Sequence, residues 1–245
     1  MKMKRLAATF MAAMVALTAV GCSAVSVDGE SNKGKTEAAN ATAEAEGDTT
    51  SETQGNGSIG LAVSTLNNPF FVTLSEGAQA AAKEKNVELI VVDAGDDAAK
   101  QTNDIEDLIS RNISVLIVNP VDSDAVAPAV QDAVAKGIKV VSVDRVVNGV
   151  EVDCAIASDN VAGAQMATEY LVTLVGEGAK VAELEGVSGA SATIDRGEGF
   201  HLVADEKLDV VSKQTANFNR SEGMSVMENM LQANPDIQGV FAHND

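Results

Sequence analysis

Residues 58–71 read SIGLAVSTLNNPFF: an apolar run of small and β-branched residues, a polar turn, then Asn68-Pro69 ahead of two adjacent phenylalanines. The run suits a β-strand covered on both faces. Asn68 followed by Pro69 reads as a helix start, with the Asn side chain accepting from a first-turn amide and Pro at the first helical position, where its missing N–H is no loss. A strand passing through a short turn into a helix is the repeating unit of parallel α/β proteins.

The unit recurs along the chain. After SIGLAVS come VELIVVD, ISVLIVN, IKVVSVD, VDCAIAS, AKVAELE, LDVVSK and IQGVFAH, separated by stretches long enough for crossover helices. In the first of these stretches Phe71, Leu74, Ala78 and Ala81 fall at helical spacing. Asp122 or Ser123 would cap the helix after VNP, and Gly137, Gly176 and Gly178 would stop helices ahead of the next strand. The predicted fold class is α/β, with doubly wound parallel sheets.

The chain's beginning reads differently. Lys2, Lys4 and Arg5 precede an apolar run from Leu6 to Val20, closed by Gly21-Cys22. The run is shorter than the ~20 residues of a membrane-spanning helix, and it predicts a secretory signal over residues 1–22. The Cys directly after small residues resembles the lipobox of bacterial lipoproteins, although Ala19 stands where that motif more often has Leu; Cys22 would then carry a lipid anchor on the outer side of the cell membrane. An ordinary signal cleaved nearby is the alternative. Residues 23–57 lack apolar periodicity and are predicted to be a disordered acidic linker.

Cys154 is the one further cysteine, so no intrachain disulfide framework is expected, and its place in VDCAIAS predicts a small buried hydrophobe. A formal net charge of −19 argues against nucleic acid as a partner. The linker holds seven acidic and two basic residues, so most of the 36 acidic residues belong to the folded part.

Polar residues follow the strands: 64–68, Asn119-Pro120, Asp144-Arg145, Ser158 to Asn160, 186–191 and Asn244-Asp245. In open parallel sheets this carboxyl edge is where ligands bind. Asp144 accepts from hydroxyls, Arg145 donates through a rigid fork, and Asn68 and Asn119 do both, a set suited to a neutral polyhydroxylated ligand. No glycine fingerprint for phosphate follows the first strand, and neither His201 nor His243 has a second His or Cys three or four residues away, so no nucleotide, metal or cofactor is expected. No G-x-S-x-G elbow occurs, and Asp144 beside Arg145 favours binding over acid–base work, so no enzymatic activity is expected. Aromatic rings would supply flat walls against the C–H faces of a sugar. Adjacent helical residues point ~100° apart, which by geometry puts one of Phe70 and Phe71 in the cleft and the other in the core; Phe218, in TANFNR, would face them.

STLNNPFF, VNPVDSDAV, VDR, IASDN, GEGAKVAELEG, RGEGF, ANFNR and VFAHND together resemble the bacterial ribose-binding proteins, solute receptors of ABC importers, over residues 58–245. The resemblance implies two lobes, 58–157 and 158–245, that close on a monosaccharide, ribose first, and present it as a monomer to a membrane permease. It implies that Asn68, both Phe70 and Phe71, Asn119, Asp144 and Arg145 line the first lobe, with Ser158 at the crossing and Arg196, Phe218 and Asn244 from the second. That family continues for several tens of residues beyond FAHND, so the second lobe is expected to be incomplete and sugar binding weak or absent. A receptor presenting a sugar-like signal to a membrane sensor is the other reading of the same pocket chemistry.

Overall fold

The computed structural model describes residues 57–244; the expected signal, Cys22, nearly all of the linker and Asp245 lie outside the described residues. Strands and helices follow as β1 (Ile59–Val63), α1 (Pro69–Lys85), β2 (Leu89–Asp93), α2 (Ala98–Ser110), β3 (Val115–Val118), α3 (Ala127–Ala135), β4 (Lys139–Val143) and β5 (Cys154–Ile156). Then come α4 (Asn160–Val175), β6 (Lys180–Glu185), α5 (Ser191–Lys207), β7 (Asp209–Thr215), α6 (Arg220–Ala233) and β8 (Gly239–Ala242). One sheet has the order β2-β1-β3-β4-β5 and a second the order β7-β6-β8, and every pairing is parallel. The α/β architecture with parallel sheets thus matches the sequence reading. Strand order reverses at β1 and at β6, which opens a crevice beyond the carboxyl ends of the neighbouring strands.

The helix start read from Asn68-Pro69 is present: Asn68 is extended (φ −93°) and its Oδ1 accepts from Phe70 N at 2.9 Å. The buried face of α1 runs through Phe71, Ser75 and Ala82, with Leu74 and Ala78 half-buried, whereas Ala81 is exposed. Asp122 and Ser123 do not cap α3. Asp122 Oδ1 accepts from Asp124 N and Ala125 N in a preceding turn, and α3 starts after Val126 without a side-chain cap.

The first sheet buries Ala62, Leu116, Val118 and Val140 against Ile105, Leu108 and Ile109 of α2 and Ala129, Val130 and Ala133 of α3. Each such Val, Leu or Ile side chain contributes roughly 1.5–3 kcal/mol when fully buried. The second core is smaller, centred on Phe200 of α5 stacked on Phe241 of β8 at 4.6 Å between ring centroids. Cys154 is exposed, contrary to the sequence expectation: β5 is an edge strand with β4 on one side only, and its three residues are all exposed. No helix among the described residues is long and apolar enough to cross a membrane.

Candidate functional site

A cleft of about 530 Å³ opens at the carboxyl edge of both sheets. From the side of the first sheet, the β1–α1 turn contributes Asn68, the first turn of α1 Phe70 and Phe71, and the segment just after β4 Asp144 and Arg145. From the second, α5 contributes Arg196, the turn after β7 Phe218, and the end of β8 Asn244. The fold therefore brings to one hollow side chains that the sequence scatters over some 180 residues.

Two of the predicted residues stand elsewhere. Asn119 is fully buried and does not line the cleft; it accepts from Ser64 Oγ at 2.7 Å and donates to the Val143 carbonyl at 3.1 Å, tying the end of β3 to those of β1 and β4. Its own carbonyl accepts from Gln101 Nε2 at 2.9 Å, and Gln101 Oε1 accepts from Val121 N at 2.8 Å. Ser158 is exposed on the connection from β5 to α4 and is absent from the wall. Sequence reasoning missed Thr65, Asp96, Asn217 and Arg220, which line the cleft. Asp96 follows β2 as Asp144 follows β4, so the same strand-end signal was there to be read.

Asp96, Asp144, Asn217 and Phe218 share a backbone feature: φ values of 64°, 66°, 50° and 54° put all four in the left-handed region. For a bulky residue such as Phe218 that conformation is costly, of order 1–3 kcal/mol, and it persists only where surrounding contacts impose it. The turn aims the Phe218 ring over Gly186, where an added Cβ would meet Phe218 Cζ at 2.0 Å.

Phe70 is 55% exposed and Phe71 3%, and the rings meet edge to face at 5.2 Å. The ~100° divergence of neighbouring helical residues is visible in their burial, yet both rings reach the cleft wall. Arg145 is the pivot. It is 2% exposed, its guanidinium lies 5.3 Å from the Phe71 ring and 5.5 Å from that of Phe218, and one Nη donates to the Pro120 carbonyl at 2.7 Å. Its Nε is buried without a hydrogen-bond partner among the described residues, 3.8 Å from Asp144 Oδ2.

Burial raises the Asp144 carboxyl above its ordinary pKa, and the charges of Arg145 and Arg196 and the Asn119 hydrogen bond offset only part of that. Asp96 is likewise raised by burial, against a hydrogen bond from Thr65 and the charge of Arg145. Desolvation also lowers Arg145, a guanidinium that stays charged throughout the physiological range. The cleft thus combines apolar rings, carboxylate acceptors and guanidinium donors, with Arg145 and Phe71 buried at its base and Phe70 and Asp96 exposed at its rim, which suits a ligand bearing several hydroxyls on an apolar ring. Among the described residues no cluster of His, Cys, Asp or Glu is arranged to hold a metal ion.

Loops of the two sheets also meet directly. Ser123 N donates to the Gly189 carbonyl at 2.9 Å, Ser191 N to Ser123 Oγ at 3.1 Å, and Val146 N to Ser191 Oγ at 3.0 Å. Gly189 permits the approach: at φ 82°, an added Cβ would lie 2.0 Å from Asp122 Oδ2.

Residues 59–245 match the family model of the periplasmic binding protein domain. The chain is 55% identical over 187 residues to the ribose import binding protein of Bacillus subtilis, covering 76% of this chain and 61% of that protein. It is 38% identical over 194 residues to the D-apiose import binding protein of Actinobacillus succinogenes, covering 78% of this chain and 62% of that one. Among solved structures, an ABC transporter solute binding protein from Mycobacterium smegmatis with bound glycerol superposes with a TM-score of 0.71 at 37% identity, over 77% of this chain and 66% of the other. The chain therefore spans about three fifths of the length of these curated relatives.

Proposed function

The chain belongs to the periplasmic binding protein family, and on that premise we propose that its cleft captures a monosaccharide, ribose first, for delivery to the permease of an ABC importer. Residues 58–157 and 158–245 act as the two lobes, and the protein works as a monomer outside the cytoplasm. It is a receptor that releases its ligand unchanged, not an enzyme.

One observation carries the reading. The buried Arg145 Nε has no hydrogen-bond partner among the described residues and faces Asp144 Oδ2 across 3.8 Å, with the guanidinium beside the rings of Phe71 and Phe218. A hydroxyl on the cleft side of the two residues would accept from a guanidinium N–H and donate to the carboxylate, while the sugar's C–H faces lie on the rings. The identity to a ribose import binding protein over most of this chain supports ribose over D-apiose. Titration calorimetry of the 245-residue protein with ribose, apiose, other pentoses, hexoses and furanosyl signals tests it. Ribose is expected to bind tightest, weakly in the 245-residue chain and more strongly in a chain extended to the length of its relatives; absence of heat with every sugar in the extended chain would overturn the proposal.

Lipid attachment at Cys22 belongs to the same reading, since an anchored receptor stays beside its permease. Labelled fatty acid should enter the wild-type protein in a bacterial host and be missing from Cys22→Ser.

A further inference from the structure

Beneath the second wall of the cleft lies a charge network that the binding function has not absorbed. Glu183, in the middle strand β6 of the second sheet, is fully buried. Its Oε1 accepts from His243 Nε2 at 2.9 Å, while its Oε2 faces His201 Nε2 at 3.1 Å and Lys213 Nζ at 3.5 Å. His201 Nδ1 reaches Asp205 at 2.7 Å, and Lys213 also pairs with Glu185 at 2.9 Å. His243 is 2% exposed, and its Nδ1 is buried with no hydrogen-bond partner among the described residues. A buried carboxylate in a sheet costs several kcal/mol unless its partners are well placed, so the network calls for a reason beyond filling space.

The reason lies on the far side of His243. Its backbone carbonyl accepts from an Nη of Arg196, and Arg196 Nε donates to Asn160 Oδ1 at 2.9 Å. These two bonds fix the guanidinium plane beside the Phe218 ring, 5.9 Å away, leaving its other N–H groups for the cleft. Asn244, the next residue, lines the same wall. α5 passes beside the pair at Gly197, where a Cβ would sit in ordinary van der Waals contact, 3.4 Å from His243 Cε1 and 3.8 Å from Glu183 Oε1.

We propose that Glu183 and His243 form a buried positioning pair: the carboxylate anchors the imidazole, and the anchored residue holds Arg196 and Asn244 in register at the cleft. The proposal rests on the reading of the cleft as a sugar site for its effect on affinity, but the ordering of Arg196 is independent of any ligand.

The test uses the full chain and two readouts, hydrogen exchange of the Arg196 Nε–H by nitrogen-15 NMR, assigned with Arg196→Lys, and calorimetric affinity for ribose. His243→Leu removes the donor to Glu183, and is expected to speed Arg196 exchange and weaken ribose binding about tenfold each. His243→Gln keeps an amide donor at that place and is expected to bring both back to within about threefold of wild type. Glu183→Gln keeps the volume but offers one acceptor oxygen to two histidines, and should give an intermediate effect. Rescue by Gln separates positioning from mere filling of the core. Unchanged exchange in a folded His243→Leu or Glu183→Gln protein overturns the proposal, as does failure of both to fold, which would make the pair a requirement of the sheet alone. Should the 245-residue chain bind ribose too weakly to measure, the Arg196 exchange decides the pair alone, and the sugar reading is judged on a chain extended to its relatives' length.

Discussion

Asn119 stands directly behind Asp144: its Nδ2 is 3.5 Å from Asp144 Oδ2 and donates to the Val143 carbonyl at 3.1 Å, while the carboxylate itself lies on the cleft wall. Two residues that both follow strand ends are thus divided between support and contact. The division matters because Asp144 holds a left-handed backbone (φ 66°) and needs something to keep it there. Its N–H donates to the Ile156 carbonyl at 2.7 Å on one side, and Asn119 braces the other.

Asn119→Ala should therefore lower stability more than a surface change does. Ser64 Oγ loses a partner in a buried place and the Val143 carbonyl and Asp144 lose one in half-buried places, and each unsatisfied buried group costs ~1–3 kcal/mol. Urea unfolding is expected to show a loss of at least ~2 kcal/mol; a change under ~0.5 kcal/mol, the scale of a neutral surface substitution, would contradict the role.

Arg145→Ala should abolish measurable sugar binding. A hydrogen bond to a charged group contributes ~1.5–3 kcal/mol, and removing the guanidinium also takes away the stack between Phe71 and Phe218. Arg145→Lys is expected to restore little, because an ammonium lacks the planar fork. Full affinity in either variant by calorimetry would rule out the proposed contact.

Gly186→Ala separates the ring's position from its identity. The new Cβ would collide with Phe218 Cζ at 2.0 Å and with Thr193 Oγ1 at 2.5 Å, so the ring must leave its place. Ribose affinity should fall at least tenfold, about 1.4 kcal/mol, in a protein whose circular dichroism keeps the α/β signature. Wild-type affinity would mean that Phe218 is not held for the ligand.

Acid stability should reveal two carboxyls working in opposite directions. Asp144 is raised by burial, so between its ordinary value of 3.8 and the raised one the folded state holds more proton than the unfolded. Stability from this group accordingly falls as pH rises through that window, and Asp144→Asn should remove the slope and stabilise the neutral protein while weakening ligand binding. Burial also pushes Glu183 up, but the His243 hydrogen bond and the charges of His201 and Lys213 outweigh it and hold the group below its ordinary 4.5. Its contribution is present above 4.5 and lost as pH falls through the depressed value. Melting curves of wild type, Asp144→Asn and Glu183→Gln from about pH 3 to about pH 7 would test both signs; parallel curves would refute them.

Local rules alone determined much of this protein. Apolar runs bounded by turns give the strands, Asn68-Pro69 caps and starts α1, and the alternation gives parallel sheets, because strand and helix periodicities act over a few residues. The strand-end rule also pointed to the cleft, since parallel sheets gather those ends on one edge. Depth was not legible. Asn119 and Asp144 look alike in sequence, yet one is sealed behind the wall and the other forms it. Ser158 also follows a strand but lies exposed away from the cleft, while Asp96, by the same rule, belongs to it. Cys154 looked like core and is exposed on an edge strand. Glu183 and His243, 60 residues apart, meet only because β6 and β8 are neighbours in the second sheet. Burial and long-range pairing follow from which elements cover which, and that is fixed when the layers assemble, not by the order of residues within any one of them.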